Sequence, residues 1–269
     1  MKEKIIKSFP TTLDVLAIIG VLTIMSGMGK ISLNFIETHF TQNAGMASFF
    51  VYVFNFLVSI FFALSLKKIR AKGVRVFNFS LRLVNPTIIL WGLILTLAVS
   101  TLIEPLIGLF PQKHFDNLNN FIGSGGWGLI TTIVAAPILE EVLFRGILQS
   151  SLSHNIGKWS ALILVSLIFA LVHGIPPQAV NAFFISMILG YLFIRTGSLL
   201  CVIIIHSLNN CLAYFTMMLG GGKYVSMREL IDNDKVFEIV YLASIFVFLI
   251  AVINVIMIFR RQKNNNKVK

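Results

Sequence analysis

Two adjacent carboxylates, Glu140 and Glu141, and a guanidinium, Arg145, stand inside the stretch Pro137 to Gly146 (P-I-L-E-E-V-L-F-R-G), which is otherwise apolar on both sides. At the centre of a bilayer helix each charge costs about 2.5–3.5 kcal/mol, so such residues pair with one another or line a polar cavity. Three of them within six residues point to an active site inside a membrane protein. Glu141 and Arg145 are four apart and share a helical face, with the acid on the favourable N-terminal side. Glu140 is turned away by about 100°, the rotation of one helical residue. Arg145 can therefore neutralise Glu141 while Glu140 faces elsewhere. Two close carboxylates also resist ionising together. That suits Glu140 as a general base and Glu141 as its support. The competing reading of Glu141 and Arg145 is a buried salt bridge that only locks helices.

Two later stretches offer complementary groups. His173 ends L-I-F-A-L-V-H, with Phe169 one turn before it on the same face. His206 and Asn210 are four apart in H-S-L-N-N and share a face. Either could be ordinary: a histidine at a helix end is often a hydrogen-bonded core residue, and a His–Asn pair can be polar glue between membrane helices. Depth favours the functional reading. At 1.5 Å per residue from the cytoplasmic ends of their helices, Glu140 lies about 18 Å in, His173 about 21 Å and His206 about 12 Å. H-E-x-x-H, a Walker loop and G-x-S-x-G are absent. His39, His114 and His154 fall in or near loops, and Asp14, Asn55 and Glu104 read as packing or lipid-interface residues.

The elements that must hold these groups are helices. The chain of 269 residues is 57% hydrophobic and only 12% charged, about half the charged fraction of a soluble domain, which is roughly 25%. Apolar runs of spanning length recur throughout. The expectation is an all-α, polytopic transmembrane bundle of about eight helices. They fall near 12–33, 45–66, 86–110, 127–152, 159–173, 178–196, 198–220 and 237–259. The fifth stops at Gly174-Ile175-Pro176-Pro177, because proline cannot continue a helix. The Gly197 junction between the sixth and seventh is tight. One membrane domain, residues 1–261, is expected, with its chemical core at about 125–220 and a disordered basic tail at 262–269.

The net charge of +11 belongs to loops, which argues for a lipid bilayer as partner and against nucleic acid. Placing both termini in the cytoplasm puts sixteen Lys and Arg residues inside and five outside, with Arg145 set aside as buried. That asymmetry fixes the expected orientation. The basic, interleaved stretch Leu66 to Arg82 could lie on the inner leaflet as an amphipathic helix or form a plain basic loop. The N-terminus resembles a signal peptide but shows no small-residue cleavage site, so a retained first helix is expected. Cys201 and Cys211 match no metal or redox spacing.

E-E-x-x-x-R at Glu140, Glu141 and Arg145, F-x-x-x-H at Phe169 and His173, and H-x-x-x-N at His206 and Asn210 together resemble the CPBP family. That family unites type II CAAX prenyl proteases with the bacteriocin-processing and self-immunity membrane proteins, also called Abi. The resemblance covers roughly residues 125–220, and every matched position is intact. It implies an intramembrane endopeptidase whose site opens to the cytoplasm. It further implies that Glu140 and His173 activate a water and that His206 and Asn210 hold the tetrahedral oxyanion. A zinc ion held by Glu140, His173 and His206 is the alternative, three protein ligands plus water being the usual catalytic arrangement. Asn210 favours catalysis without a cofactor, since an amide is a poor zinc ligand and a good oxyanion donor. The expected substrates are small membrane-associated peptides or proteins in a bacterial plasma membrane. A bacteriocin self-immunity protein remains open. So does a non-catalytic transporter or scaffold using the Glu and His groups as a proton relay.

Overall fold

The computed structural model describes residues 10–39, 44–70, 77–111, 114, 125–221 and 226–265. Among them are ten helices and no strand. They are α1 (Thr12–His39), α2 (Ala44–Arg70), α3 (Pro86–Leu102), α4 (Glu104–Ile107), α5 (125–156), α6 (Lys158–Val172), α7 (Pro176–Thr196), α8 (Leu199–Leu219), α9 (Met227–Ile231) and α10 (Asp234–Asn265). Setting aside the short α4 and α9 leaves the eight long helices that hydropathy predicts. Six of these are long and apolar enough to cross a membrane; α3 and α6 are apolar but shorter. On α10 the exposed side chains include Ile239, Leu242, Phe246, Leu249, Ile250 and Ile253. An apolar surface of that extent requires lipid as its solvent.

Several boundaries differ from expectation: α1 runs to His39 rather than 33, and α2 to Arg70 rather than 66. The third helix stops at Leu102 rather than near 110, and Pro105 opens the separate turn α4. α10 runs to Asn265, so residues 262–265 of the expected tail are helical; extending a formed helix adds a hydrogen bond per residue fixed, without a new nucleation cost. Residues 266–269 of that tail lie outside the described residues. Of the basic stretch, 66–70 close α2 and 77–82 are irregular, while 71–76 lie outside the described residues. The N-terminal residues 1–9 of the signal-like segment also lie outside them.

The chain divides into two compact units, one of Met1–Ser80 with Asn120–Val165, the other of Leu81–Asn119 with Ser166–Lys269. In the first, α1 packs along α2, and α2 along α5. Asp14 caps α1, accepting from the Thr11 amide at 2.7 Å, and binds Arg70 at the far end of α2 at 2.8 Å. The residues after the basic stretch return to α5, where the Asn78 amide donates to the Gly146 carbonyl at 2.9 Å. Glycine is required for that approach: a Cβ at 146 would lie 2.9 Å from the Phe79 ring and 3.3 Å from the Asn78 carbonyl oxygen.

In the second unit, α3 packs against α7, α8 and α10. α7 ends at Gly197 in the left-handed region (φ +63°), the tight junction expected there. Arg82 and Ser198 then tie the turn: the Arg82 guanidinium donates to the Thr196 carbonyl, and the Ser198 hydroxyl donates to the Arg82 carbonyl at 2.6 Å while capping α8. Glu104, buried, accepts from the Arg228 amide of α9 at 2.9 Å. Asp14 and Glu104 are thus tethers of helix ends.

Within the first unit, the interior of α5 is fixed by one ion pair. Glu141 Oε1 and Arg145 Nη1 are 3.0 Å apart, and both side chains are fully buried. Removing one partner of such a pair costs about 3–5 kcal/mol, whereas replacing both by apolar groups is often neutral. Arg145→Ala is therefore expected to lower the folded yield and the unfolding midpoint in detergent sharply. Glu141→Leu with Arg145→Met should recover most of that loss. A double variant no more stable than Arg145→Ala would show that the pair is not what holds α5.

Candidate active site

The sequence of α5 makes an irregular helix. Two π-helical segments, Thr131–Ala135 and Val142–Gln149, flank the α-helical turn Ala136–Glu141. Pro137 supplies a cause for the first. It has no amide hydrogen, and its ring crowds the carbonyl four residues back, so the preceding turn widens. In the second, Gly146 weakens the helix and the Ser150 hydroxyl and amide both reach back five residues to the Arg145 carbonyl. Wide turns of this kind occur mostly at functional sites. Glu140 and Glu141 end the regular turn between them.

The two carboxylates sit in different surroundings. Glu141 is fully buried beside Arg145, as their four-residue spacing predicts. Glu140 is half-buried and accepts a hydrogen bond from the Tyr52 hydroxyl of α2 at 2.6 Å. A guanidinium thus serves one acid and a neutral phenol the other. Tyr52 is the partner that the sequence reading missed. The signal was present: Ser48, Tyr52, Asn55 and Ser59 are spaced four, three and four apart, a polar stripe on one face of an apolar helix. Asn55 and Ser59 are buried along it. Phe49 and Phe50, at 5.3 and 6.1 Å from the Trp127 ring, pack the same part of α2 against α5.

The second unit holds the other group of residues. α6 ends at Val172, and His173 follows in a turn closed by Gly174 at φ +69°. That left-handed conformation favours glycine and stops the helix. Ile175 is extended, and Pro176 and Pro177 begin α7 with the fixed φ suited to a helix start. His173 is thereby held at a helix end. Its Nδ1 lies 2.6 Å from the Phe169 carbonyl oxygen. A carbonyl can only accept, so the proton is assigned to Nδ1, and neutral His173 carries its lone pair on Nε2.

Phe169 joins the two histidines of this unit. Its ring centroid is 4.7 Å from that of His173 and 6.2 Å from that of His206, the latter edge-on. Phe169 and His206 are buried, His173 and Asn210 half-buried. Asn210 follows His206 by one turn of α8. The residues assembled within the first unit are therefore Glu140, Glu141 and Arg145, with Tyr52 added. Those assembled within the second are Phe169, His173 and His206, with Asn210 on the same helix as His206. Of the ligands that a zinc reading would use, Glu140 belongs to the first unit and His173 and His206 to the second. Among the described residues no three His, Cys, Asp or Glu side chains form a group that could hold a metal ion.

These chemical groups coincide with one recognised region. The family model described as Type II CAAX prenyl endopeptidase Rce1-like matches residues 123–212, which contain all three motifs. No curated protein and no solved structure matches the chain. Over residues 123–212, then, the chain is similar to the Rce1-like type II CAAX prenyl endopeptidases, a family of peptidases.

Proposed function

We propose that this protein is an intramembrane endopeptidase that cleaves membrane-associated peptides or proteins with a water activated by Glu140. The observation that carries the reading is the division between the adjacent acids. Arg145 lies 3.0 Å from Glu141, both fully buried, while Glu140 is half-buried and accepts from the Tyr52 hydroxyl at 2.6 Å. In this mechanism Glu140 takes a proton from water as the water oxygen attacks the scissile carbonyl. Nε2 of His173 accepts the water's other hydrogen bond and orients it. His206 and Asn210 donate to the tetrahedral oxyanion. Glu140 then passes its proton to the leaving amine, and the C–N bond breaks. No cofactor enters these steps. The protein acts from a cell membrane, its substrates reach it through lipid, and both termini face the cytoplasm.

Glu140→Gln is expected to yield a folded protein whose cleavage falls by about 100- to 10,000-fold, the usual contribution of a general base. Comparing peptides from membranes carrying wild type and Glu140→Gln both tests this and identifies the substrates. Cleavage that survives in the variant would favour the transporter or scaffold reading.

Asn210→Ala should lower kcat about 100- to 1,000-fold, the typical loss of one oxyanion donor, with KM nearly unchanged. Chelation of the purified enzyme should leave activity intact. Loss on chelation, restored by stoichiometric zinc with one ion bound per chain, would replace this mechanism by one in which Glu140, His173 and His206 ligate zinc.

Reporters fused after Lys269 and inserted beside Lys113 should lie on opposite sides of the membrane. Finding both on one side would overturn the orientation inferred from the basic loops.

A further inference from the structure

Tyr52 lies on α2, outside the matched stretch 123–212 and outside all three motifs. Its hydroxyl donates to Glu140 Oε1 at 2.6 Å, a short bond within the O–H···O range of about 2.5–3.0 Å. We infer that Tyr52 is a positioning residue for the catalytic carboxylate, holding Oε1 so that Oε2 is presented to the water. The inference rests on Glu140 being the base and adds a residue from a helix that the family resemblance does not cover.

The phenol suits that task. Its ring is itself held, stacked at 4.9 Å and 35° on Phe56, which is buried, so the hydroxyl has little freedom to follow a wandering carboxylate. A carboxylate has about four acceptor sites; the Tyr52 bond takes up one of them and restrains the side chain's rotation. A phenol also restrains without neutralising. A Lys or Arg at the same place would pair with Glu140 as Arg145 pairs with Glu141, and the charge that must take up a proton would be held back. The competing explanation is that the bond merely ties α2 to α5, and it predicts a different pattern of losses.

Tyr52→Phe separates the two, because it keeps the ring and removes only the hydroxyl. The probe is an internally quenched hydrophobic peptide in liposomes, chosen from those whose cleavage requires Glu140. The expected result is a fall in kcat of about 10- to 100-fold, the range for a lost hydrogen bond to a charged group. KM should change less than twofold, and the unfolding midpoint should be unchanged. Unaltered kcat, a change in KM alone, or a protein that fails to fold would each overturn the positioning role; the last would make the hydroxyl structural. Tyr52→Leu, which also removes the ring, is expected to lower both kcat and the midpoint. Should its kcat equal wild type, the proposal fails even where Tyr52→Phe cannot be purified. Glu140→Gln is run alongside. If it cleaves normally, the reading of Glu140 fails; if it is inactive while Tyr52→Phe is fully active, only the role of Tyr52 does.

Discussion

Charge inside an apolar helix is the constraint around which the first unit is arranged. Glu141 and Arg145 are each fully buried, and neither would be tolerated there alone. Their pairing lets α5 carry a second acid, Glu140, next to the first without leaving a lone guanidinium in the interior. The surroundings of α5 follow from this. α2 supplies a polar stripe on the face that includes Tyr52, and residues 77–79 close over Gly146, where a side chain would not fit. The pair serves order more than stability, since apolar replacements of both residues often hold a fold as well.

In the second unit the equivalent role falls to backbone geometry. His173 is not buried by a hydrophobic shell so much as clamped at the point where α6 must end. Gly174 turns the chain, two prolines start the next helix, and the Phe169 carbonyl fixes which imidazole nitrogen carries the proton. Phe169, adjacent to both histidine rings, sets their spacing. An aromatic ring there excludes water from the histidine edges it covers while adding no competing hydrogen bond.

The long helices and the spacing of the acids and histidines were legible because they depend on local periodicity. Hydropathy needs only a run of residues to reveal a helix, and Glu141 meets Arg145 because four residues make about one turn. What was not legible depends on partners distant in sequence. Tyr52 is 88 residues from Glu140, and nothing in the local pattern distinguishes it from the other aromatics of α2 until the polar stripe is considered as a whole. Asp14 and Glu104 read as packing or interface residues for the same reason, since their partners lie in helices far along the chain. The irregular turns of α5 escaped a reading that assigns 100° to every residue, although Pro137 and Gly146 were in plain view.

Those irregular turns have a consequence for how such a chain can vary. A turn closed by bonds to the fifth residue back holds one residue more than an ordinary turn closed by bonds to the fourth. α5 therefore carries slack in its length at two places, Thr131–Ala135 and Val142–Gln149. Deleting a residue in either could let the turn tighten into regular helix with no break in the chain and with little rotation of what lies beyond, because the wide turn covers about the same angle with one residue more. Insertions and deletions, normally confined to loops, thus have a foothold in the middle of a membrane helix. There they would be absorbed within the turn itself, so that the side chains beyond it keep the face they present to α2.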